Sequence, residues 1–374
     1  QPFAGLANIL AIGFSSIFPE DTTREMLQMR PYGAGPWKLK EFQRGSRWIY
    51  ARNDDFFFEG RPYLDEWHHV NIRGAEVSQA AFLTNQVDII DDNPSPDNLP
   101  LFEELISQGK VYQQPRTTAL GASTGCRPQG INMNSYKPPF DDLRLRQAVN
   151  LAVDREAYIQ VVHYGNAVPH LWLETGGMGR SLEEIMEMPG YRQPHDADLA
   201  EAKAIVAELY PNGLDVEMLT RDSSGYMRQA EFIAGELRKV NINVTINIQN
   251  SAVVFPAAQA GNYEIWAYWF CQTTGTAEEL IGSYFITPGS RNWLGPYSNP
   301  EVDAGYLDMA ATRDTAERKA KAIALEDLIM ADMPSAPLPV HTSFLKIWSY
   351  IEFYPVTKTF YTNKKVQNVW RSDN

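Results

Sequence analysis

RPQGINMNSYKPPFDDLRLRQAVNLAVDREAYIQVVHYG, residues 127–165, is the stretch that decides the fold of this chain. It opens with alternating apolar and polar residues, which predict a short strand. A pair of prolines then interrupts the chain, and Asp141 or Asp142 follows as the N-cap of a helix with apolar residues at helical spacing. Asp154 is placed to cap a second helix, which Gly165 ends. The stretch therefore predicts a strand that leads into two consecutive helices.

Downstream of this stretch, helix and strand patterns alternate. The predicted elements are a helix over 196–209, a strand over 214–220, a helix over 223–241, a strand over 241–248, and helices over 300–312 and 314–332. Alternation of this kind predicts an α/β domain with a largely parallel sheet. Upstream, two alternating runs that meet at Gly45 predict a β-hairpin.

Size and charge narrow the class of protein. At 374 residues the chain is too long for one ordinary hydrophobic core, so two domains are expected. The formal net charge of −13 repels a phosphate backbone, which argues against a nucleic-acid partner. No apolar run reaches the ~18–20 residues that a membrane-spanning helix needs. The first residues lack the basic region that begins a signal peptide.

The motifs of common enzymes are missing from the sequence. It contains no GxSxG, HExxH, GxxxxGK[ST] or glycine-rich dinucleotide fingerprint. His68 and His69 are neighbours on a predicted strand, so they point to opposite faces and do not chelate one metal together. The aspartate pairs 91–92 and 141–142 stand at element ends, where helix caps are expected. The sequence therefore predicts a protein without catalytic residues, metal or cofactor.

The candidate recognition segment is an aromatic strand that ends in a polar loop. Tyr268 and Trp269 lie in the strand, and Gln272, Thr273 and Thr274 lie in the loop. Aromatic rings offer rigid contact area, while amide and hydroxyl groups offer both donors and acceptors. A helix predicted just after the loop turns its free amide groups toward it. The alternative is a buried core strand followed by a solvated turn.

Two blocks of the sequence resemble a known family. Residues 137–159, KPPFDDLRLRQAVNLAVDREAYI, resemble the hallmark block of the extracytoplasmic solute-binding proteins that serve peptide, nickel and oligosaccharide ABC importers, bacterial family 5. Residues 31–65, which begin PYGAGPWKL, resemble a second block of the family, with Ala34 where threonine is usual. The similarity extends more weakly over the chain from about residue 25 onward.

The resemblance implies an α/β fold of the periplasmic-binding-protein type, with two lobes, mixed sheets and a ligand cleft between the lobes. It assigns residues 1–61 to the end of the family's extra N-terminal subdomain, residues 62–134 and 346–374 to lobe I, and residues 135–345 to lobe II. Family members carry a long segment before the PYGAGPWKL block. We therefore expect this chain to be a fragment or a processed form.

The function implied by the resemblance is that of a receptor. It is expected to be a monomer in the periplasm, or otherwise outside the cytoplasm, that captures a small organic solute. The solute is an oligopeptide or an oligosaccharide-like compound, and the receptor delivers it to the membrane permease of an ABC importer. No enzymatic activity, cofactor or nucleic-acid partner is implied.

The resemblance also bears on the chemistry of the ligand. Peptide binders of the family carry an aspartate three residues after the tryptophan, and this aspartate holds the amino terminus of the peptide. Counting from Trp269, the position is occupied by Gln272. A neutral amide does not supply the charge-assisted pair that a desolvated ammonium needs. Oligopeptides and other polar solutes such as oligosaccharides therefore both remain candidate ligands.

Further site candidates rest on the same resemblance. Residues 290–303 resemble a family segment that leads into a helix, which implies that Asn292 and Trp293 line the cleft. Arg127, in the strand at the junction between the lobes, is a candidate contact for an anionic group.

The two cysteines, Cys126 and Cys271, fit either one disulfide in an oxidising compartment or two inert buried thiols. Some relatives link the same two regions by a disulfide, which makes this pair a disulfide candidate.

Two other function classes remain as alternatives. A hydrolase acting in the cleft would require a titratable pair in the pocket. A ligand-sensing domain of a regulator would require a DNA-binding segment elsewhere in the intact protein.

Overall fold

The chain forms two compact units in the computed structural model. The central unit consists of Gln1–Ile9 and Thr124–Thr342, and the flanking unit consists of Leu10–Ser123 and Ser343–Asn374. The structure describes residues 6–10, 18–29, 33–72, 74–91, 94–115, 126–271, 274–292, 297–342, 344–356 and 366–372. The boundaries of the lobes expected from the family stay a prediction.

Helices and strands alternate through most of the described chain. The helices are α1 (Leu6–Leu10), α2 (Arg24–Met29), α3 (Ala75–Leu83), α4 (Leu99–Ser107), α5 (Leu143–Ala152), α6 (Arg155–His163), α7 (Leu182–Met186), α8 (Asp196–Leu209), α9 (Ser224–Arg238), α10 (Ser251–Gln259), α11 (Ala277–Tyr284), α12 (Pro300–Ala311) and α13 (Thr315–Asp332). The strands are β1 (Trp37–Gln43), β2 (Arg47–Arg52), β3 (Glu66–Val70), β4 (Ile89–Ile90), β5 (Val111–Pro115), β6 (Cys126–Met133), β7 (Ala167–Val168), β8 (Leu214–Arg221), β9 (Ile242–Gln249), β10 (Ile265–Cys271), β11 (Ser335–Leu338), β12 (Val340–His341), β13 (Phe344–Trp348), β14 (Ile351–Glu352) and β15 (Trp370–Arg371). No described helix is both long enough and apolar enough to cross a membrane.

The central unit is built on a five-stranded sheet with the order β11-β6-β10-β8-β9. The pairs β10–β8 and β8–β9 are parallel, because helices α9 and α10 supply the crossovers that return each strand in the same direction. The pairs β11–β6 and β6–β10 are antiparallel. The prediction of a largely parallel sheet is therefore wrong for half of the pairings, since β6 and β11 lie outside the helix–strand repeat that the sequence pattern reveals.

The stretch that opens the central unit folds as its capping residues predict. The side chain of Asp142 accepts a hydrogen bond from the amide of Arg144 and begins α5. The side chain of Asp154 accepts from the amides of Glu156 and Ala157 and begins α6. The apolar face predicted for the first helix is wholly buried in the main core, which joins α5, α6, α8 and α9 to the sheet. Capping and apolar periodicity were sufficient to place both helices.

The flanking unit contains two three-stranded antiparallel sheets, with the orders β1-β2-β3 and β4-β13-β5. The hairpin predicted around Gly45 is the β1–β2 pair. Strand β13 comes from the carboxyl-terminal part of the chain and lies between β4 and β5, so two distant parts of the sequence share one sheet. A small core around Phe82, Phe102 and Trp348 packs beneath it.

One buried arginine ties several elements of the central unit together. The side chain of Arg155 is only 2% exposed, and this burial lowers the pKa of its guanidinium. Its Nη1 atom donates to the carbonyl oxygens of Asn150, of Val153 at 2.8 Å and of Gly190 at 3.0 Å. Its Nη2 atom donates to the side chain of Asn150 at 2.6 Å and to the carbonyl of Pro337 at 3.1 Å. The planar fork thus joins α5, α6, the loop after α7 and β11.

Replacing Arg155 by leucine is expected to lower the free energy of unfolding by about 3 kcal/mol or more, because several buried carbonyl groups lose their donor. Lysine keeps the positive charge but not the planar guanidinium with its several N–H donors. Arg155→Lys is therefore expected to lower the free energy of unfolding less than Arg155→Leu does, but still to lower it. Urea unfolding followed by circular dichroism measures both effects. The matched control is Arg238→Leu at an exposed position of α9, with an expected change within about 0.5 kcal/mol. Equal effects at the two arginines would contradict the role of Arg155.

Candidate functional site

The candidate site lies in the central unit, where the parallel strands β8 and β10 end. In open α/β sheets, ligands bind outside the carboxyl ends of the strands, where loops and helix starts meet. Arg221 is the last residue of β8, and helix α9 begins three residues later at Ser224. Trp269 and Cys271 lie at the end of β10. The end of β10 therefore brings side chains of the predicted recognition segment to the edge where a solute is expected, and the end of β8 brings Arg221 there.

A stack of aromatic rings runs along the end of β10. Tyr226 of α9 stacks on Trp269 with ring centroids 4.6 Å apart, and on Tyr268 at 5.4 Å. Tyr268 in turn stacks on the fully buried Trp266 at 4.4 Å. Tyr268 is 7% exposed and belongs to the core, whereas Trp269 is half-buried. Of the two predicted aromatic contacts, only Trp269 thus keeps part of its surface exposed; its contact with a ligand stays a prediction.

The indole ring of Trp269 is held in place on two sides. Its Nε1 atom donates to Oε1 of the buried Gln229 at 2.5 Å, and Nε2 of Gln229 lies 3.5 Å from the carbonyl oxygen of Gly130 in β6. The first turn of α9 lies against the ring, because a Cβ added at Gly225 would be 3.6 Å from it. An aromatic face fixed in this way loses little conformational entropy when a ligand stacks on it.

Arg221 is a site residue that the sequence reasoning missed. Its guanidinium lies 5.7 Å from the ring centroid of Tyr226. Burial raises the pKa of Tyr226 far above its usual value, so the phenol stays neutral. Arg221 therefore places a positive charge one ring away from Trp269. Its position directly after the strand predicted over 214–220 was the available signal.

The loop after β10 is closed by a carboxylate. The amide nitrogen and the Oγ1 atom of Thr274 donate to Oε2 of Glu279 at 2.5 and 2.6 Å. Thr276 caps α11 by accepting from the amide of Glu279. Thr274 is buried, and these bonds fix the loop against the first turn of the helix. Its contact with a ligand stays a prediction; Gln272 and Thr273 lie outside the described residues.

The end of β10 is also held by side chains from the following segment. The hydroxyl of Tyr284 donates to the carbonyl oxygen of Cys271 at 2.8 Å. Nη1 of Arg291 donates to the same carbonyl and to the hydroxyl oxygen of Tyr284, the latter at 2.8 Å. Burial raises the pKa of Tyr284 to about 12, so it stays a neutral donor. The backbone that leads from Trp269 into the loop is thereby kept rigid.

Asn292 is buried and bonded to backbone groups. Its Nδ2 atom donates to the carbonyl oxygens of Ile286 and Tyr297 at 2.6 and 2.7 Å, and its Oδ1 atom accepts from the amide of Tyr297 at 2.8 Å. The side chain thus closes the segment between α11 and α12. Its predicted ligand contact stays a prediction, and Trp293 lies outside the described residues.

The cysteines and Arg127 belong to the neighbouring strand pair. The register of the antiparallel pair β6–β10 sets Cys126 opposite Cys271, after an irregularity at Trp269. Cys271 is disulfide-bonded, and the chain contains two cysteines. This geometry supports the candidate disulfide. The side chains of Cys126 and Arg127 are outside the described part of the structure.

A buried polar group lies under the site on the β6 side. Oε1 of Gln129 accepts from the hydroxyl of Tyr158 and lies 3.2 Å from Nε2 of His163. Burial lowers the pKa of His163 to about 2, so this imidazole is neutral at any physiological pH. Among the described residues, no group of three or more histidine, cysteine or acidic side chains is arranged to hold a metal ion.

Comparison with known proteins identifies the family. The model of the bacterial extracellular solute-binding proteins, family 5 Middle, matches residues 1–292. The probable di/tripeptide-binding protein 5 of Pseudomonas aeruginosa is 24% identical over 372 residues, which are 95% of this chain and 66% of the relative. The glutathione-binding protein of Pectobacterium atrosepticum is 25% identical over 353 residues, which are 89% of this chain and 64% of the relative. The chain thus spans slightly less than two thirds of the length of these relatives.

Solved structures share the fold over the whole chain. The periplasmic binding protein DppA of Helicobacter pylori, in complex with the peptide STSA, has a TM-score of 0.79 at 20% identity and matches 100% of this chain and 71% of its own. The periplasmic binding protein AgaA of A. tumefaciens R10, in complex with agropinic acid, has a TM-score of 0.78 at 22% identity, with 100% and 75% covered. The predicted α/β fold with mixed sheets, of the periplasmic-binding-protein type, is confirmed. Because the family model covers most of its length, this chain belongs to the family 5 bacterial extracellular solute-binding proteins.

Proposed function

We propose that this protein is a receptor without enzymatic activity that captures a small organic solute outside the cytoplasm and delivers it to the permease of an ABC importer. The observation that carries the proposal is the fixed face of Trp269 beside Arg221 at the carboxyl ends of β8 and β10. Family membership supports it, since the matching proteins are solute-binding proteins. The negative net charge of the chain agrees with the absence of a nucleic-acid partner from this function.

The chemistry of the site favours a polar solute with a flat or apolar face and an acidic group. Trp269 offers a stacking surface, and Arg221 offers a charge that suits a carboxylate. Relatives and structural neighbours are named for binding di- and tripeptides, glutathione, the peptide STSA and agropinic acid. We infer that an oligopeptide or another polar organic acid fits this site, and that an oligosaccharide-like solute would use Trp269 and the amide of Gln272.

Location and assembly complete the proposal. The name of the family and the periplasmic source of its structural neighbours support a place in the periplasm or another extracytoplasmic space. A monomer stays the expectation drawn from the resemblance. Residues Thr273, Trp293 and Arg127 stay sequence-based candidates for further ligand contacts.

Native mass spectrometry of the protein as purified is the first experiment. A bound mass that is lost on unfolding is expected and gives the class of the solute. Isothermal titration with a tripeptide, glutathione and a trisaccharide then ranks the candidates. Conversion of a bound solute into a product during incubation would contradict the receptor and favour the hydrolase.

Trp269→Ala is expected to weaken binding of the preferred solute about five- to thirtyfold, because a stacking face worth roughly 1–2 kcal/mol is lost. Titration calorimetry measures the dissociation constant, and circular dichroism checks the fold. The control is Trp370→Ala, which removes a partly exposed tryptophan from the flanking unit and is expected to leave affinity unchanged. Unchanged affinity of Trp269→Ala would refute the site.

Gln272 is expected to relax the requirement for a free amino terminus. If a tripeptide binds, acetylation of its amino group is expected to change affinity less than about tenfold, because an amide forms no ion pair with an ammonium. Gln272→Asp is expected to restore a preference for the free amine over the acetylated peptide. A wild-type protein that already binds only the free amine would show that another acidic group holds it.

A bond between Cys126 and Cys271 is expected to add about 2–4 kcal/mol to the free energy of unfolding. Cys126→Ser, Cys271→Ser and the double variant are all expected to lose the same amount, since each removes one and the same cross-link. Urea unfolding measures the loss, and intact mass should rise by two hydrogen atoms when the wild type is reduced. Losses that add up in the double variant would show two independent thiols.

A further inference from the structure

Strand β9 forms an open edge of the sheet in the central unit. The sheet order ends with β9, and all eight of its residues, Ile242–Gln249, pair in parallel with β8. An edge strand carries a row of backbone groups that can pair with another chain. Because β9 is long and regularly paired on its inner side, its outer side is straight and continuous.

The hydrogen bonds at its two ends show which backbone groups face outward. The carbonyl of Asn241 accepts from the amide of Leu214 in β8 at 3.1 Å, and that of Gln249 accepts from Asp222 at 2.8 Å. Odd-numbered residues of β9 therefore point their N–H and C=O groups toward β8. Even-numbered residues point these groups outward. The outward residues are Ile242, Val244, Ile246 and Ile248. Within the described chain, no backbone or side-chain group bonds to their outward N–H and C=O groups.

The edge carries none of the features that keep natural edge strands apart. Residues 240–263 contain no aspartate, glutamate, lysine or arginine, and β9 itself contains no proline. Natural edges are protected by inward charges, proline or bulges. The rest of the chain carries a net charge of −13, so two copies of the chain repel each other in most relative orientations. The uncharged edge is therefore a place where two copies can meet without that cost.

The sequence of β9 is complementary to itself. Read in either direction from Thr245, the strand INVTINI presents the same kinds of residue in the same order. An antiparallel pair centred on Thr245 sets it opposite Thr245 of the second copy. The other facing pairs are Val244 with Ile246, Asn243 with Asn247, and Ile242 with Ile248. Apolar residues then meet apolar residues on one face and amides meet amides on the other, which are favourable cross-strand pairs.

The alternation of inward- and outward-facing backbone groups along β9 fits the same register. With Thr245 at the centre, the even-numbered residues of the two copies lie opposite one another and exchange their outward N–H and C=O groups. Thr245 then forms a pair without backbone hydrogen bonds, in which the side chains are closest. On the amide face, Asn243 and Asn247 already donate to Asp215 and Glu217 of β8, at 2.9 and 3.1 Å. These bonds give the carboxylates that lie one strand behind the edge a hydrogen-bond donor.

We propose that two copies of this chain associate through β9 in a symmetric antiparallel pair that joins their five-stranded sheets into one. The arrangement is isologous, as in most soluble dimers. A second copy is the occupant because the strand matches itself in side-chain type, charge and backbone direction. The proposal is independent of the solute-binding function, and it would replace the expectation of a monomer.

Light scattering after size exclusion, over a range of concentrations, tests the pairing. The wild type is expected to reach twice the chain mass of 42.3 kDa as concentration rises. Thr245→Lys, at an exposed position, sets two like charges face to face and is expected to raise the dissociation constant at least about tenfold. Thr245→Glu is expected to do the same, and an equal mixture of the two variants to restore the dimer. Gln160→Lys, at an exposed position of α6, is the matched control and should behave as the wild type.

Oxidative cross-linking tests the register. Thr245→Cys is expected to form a covalent dimer, because the two introduced thiols face each other. Asn243→Cys is expected to form none, because its counterpart in the second copy faces Asn247. A wild type with the mass of one chain at every concentration would overturn the proposal. So would a Thr245→Lys variant that still dimerises, or equal cross-linking of the two cysteine variants.

Discussion

The antiparallel ladder between β6 and β10 is the interaction on which the central unit depends. Gly130 of β6 lies opposite Tyr268 of β10 and Pro337 of β11. A Cβ at this position would come within 2.8 Å of the side chains of Phe270 and Ser335. These side chains therefore fill the space next to Gly130, so that only glycine fits there. The main core, the aromatic stack and the candidate disulfide all depend on the pairing of β6 with its two neighbouring strands.

The same ladder explains why the candidate site is rigid. Strand β10 lies between β6 and β8: Ile265 and Trp266 pair with both neighbours, and the residues from there to Trp269 pair with β6. Gln229 reaches from α9 to Trp269, while Tyr284 and Arg291 hold the carbonyl of Cys271. A binding face built on a central strand and locked by neighbouring hydrogen bonds keeps its geometry better than one built on a loop.

The candidate solute site and the proposed self-association surface lie on different borders of one sheet. The candidate site lies at the carboxyl ends of β8 and β10, and the open edge is the outer side of β9. The two surfaces differ in kind, because one presents side chains and the other presents backbone groups. A dimer formed at the β9 edge therefore leaves Trp269 and Arg221 in place, and each copy keeps its own site.

The sequence by itself determined the local structure and the family. Asp142 and Asp154 cap the helices they were expected to cap, and the helix predicted over 196–209 is α8 with the same ends. These features depend on residues within a few positions of one another, where capping and apolar spacing act. The two family blocks sufficed to predict an α/β fold with mixed sheets, and the aromatic strand singled out Trp269 as a candidate contact.

The tertiary structure decided what depends on partners far apart in sequence. The direction of β6 follows from its pairing with β10 and β11, which no local pattern encodes. Arg155 binds a carbonyl 182 residues away, and nothing in its neighbourhood distinguishes it from a surface arginine. Tyr226 brings Arg221 next to the candidate site, and the side chain of Asn292 is hydrogen-bonded to backbone carbonyl groups. Hydrogen-bond partners are set by the folded geometry, so residue type alone suggests a role that only the fold assigns.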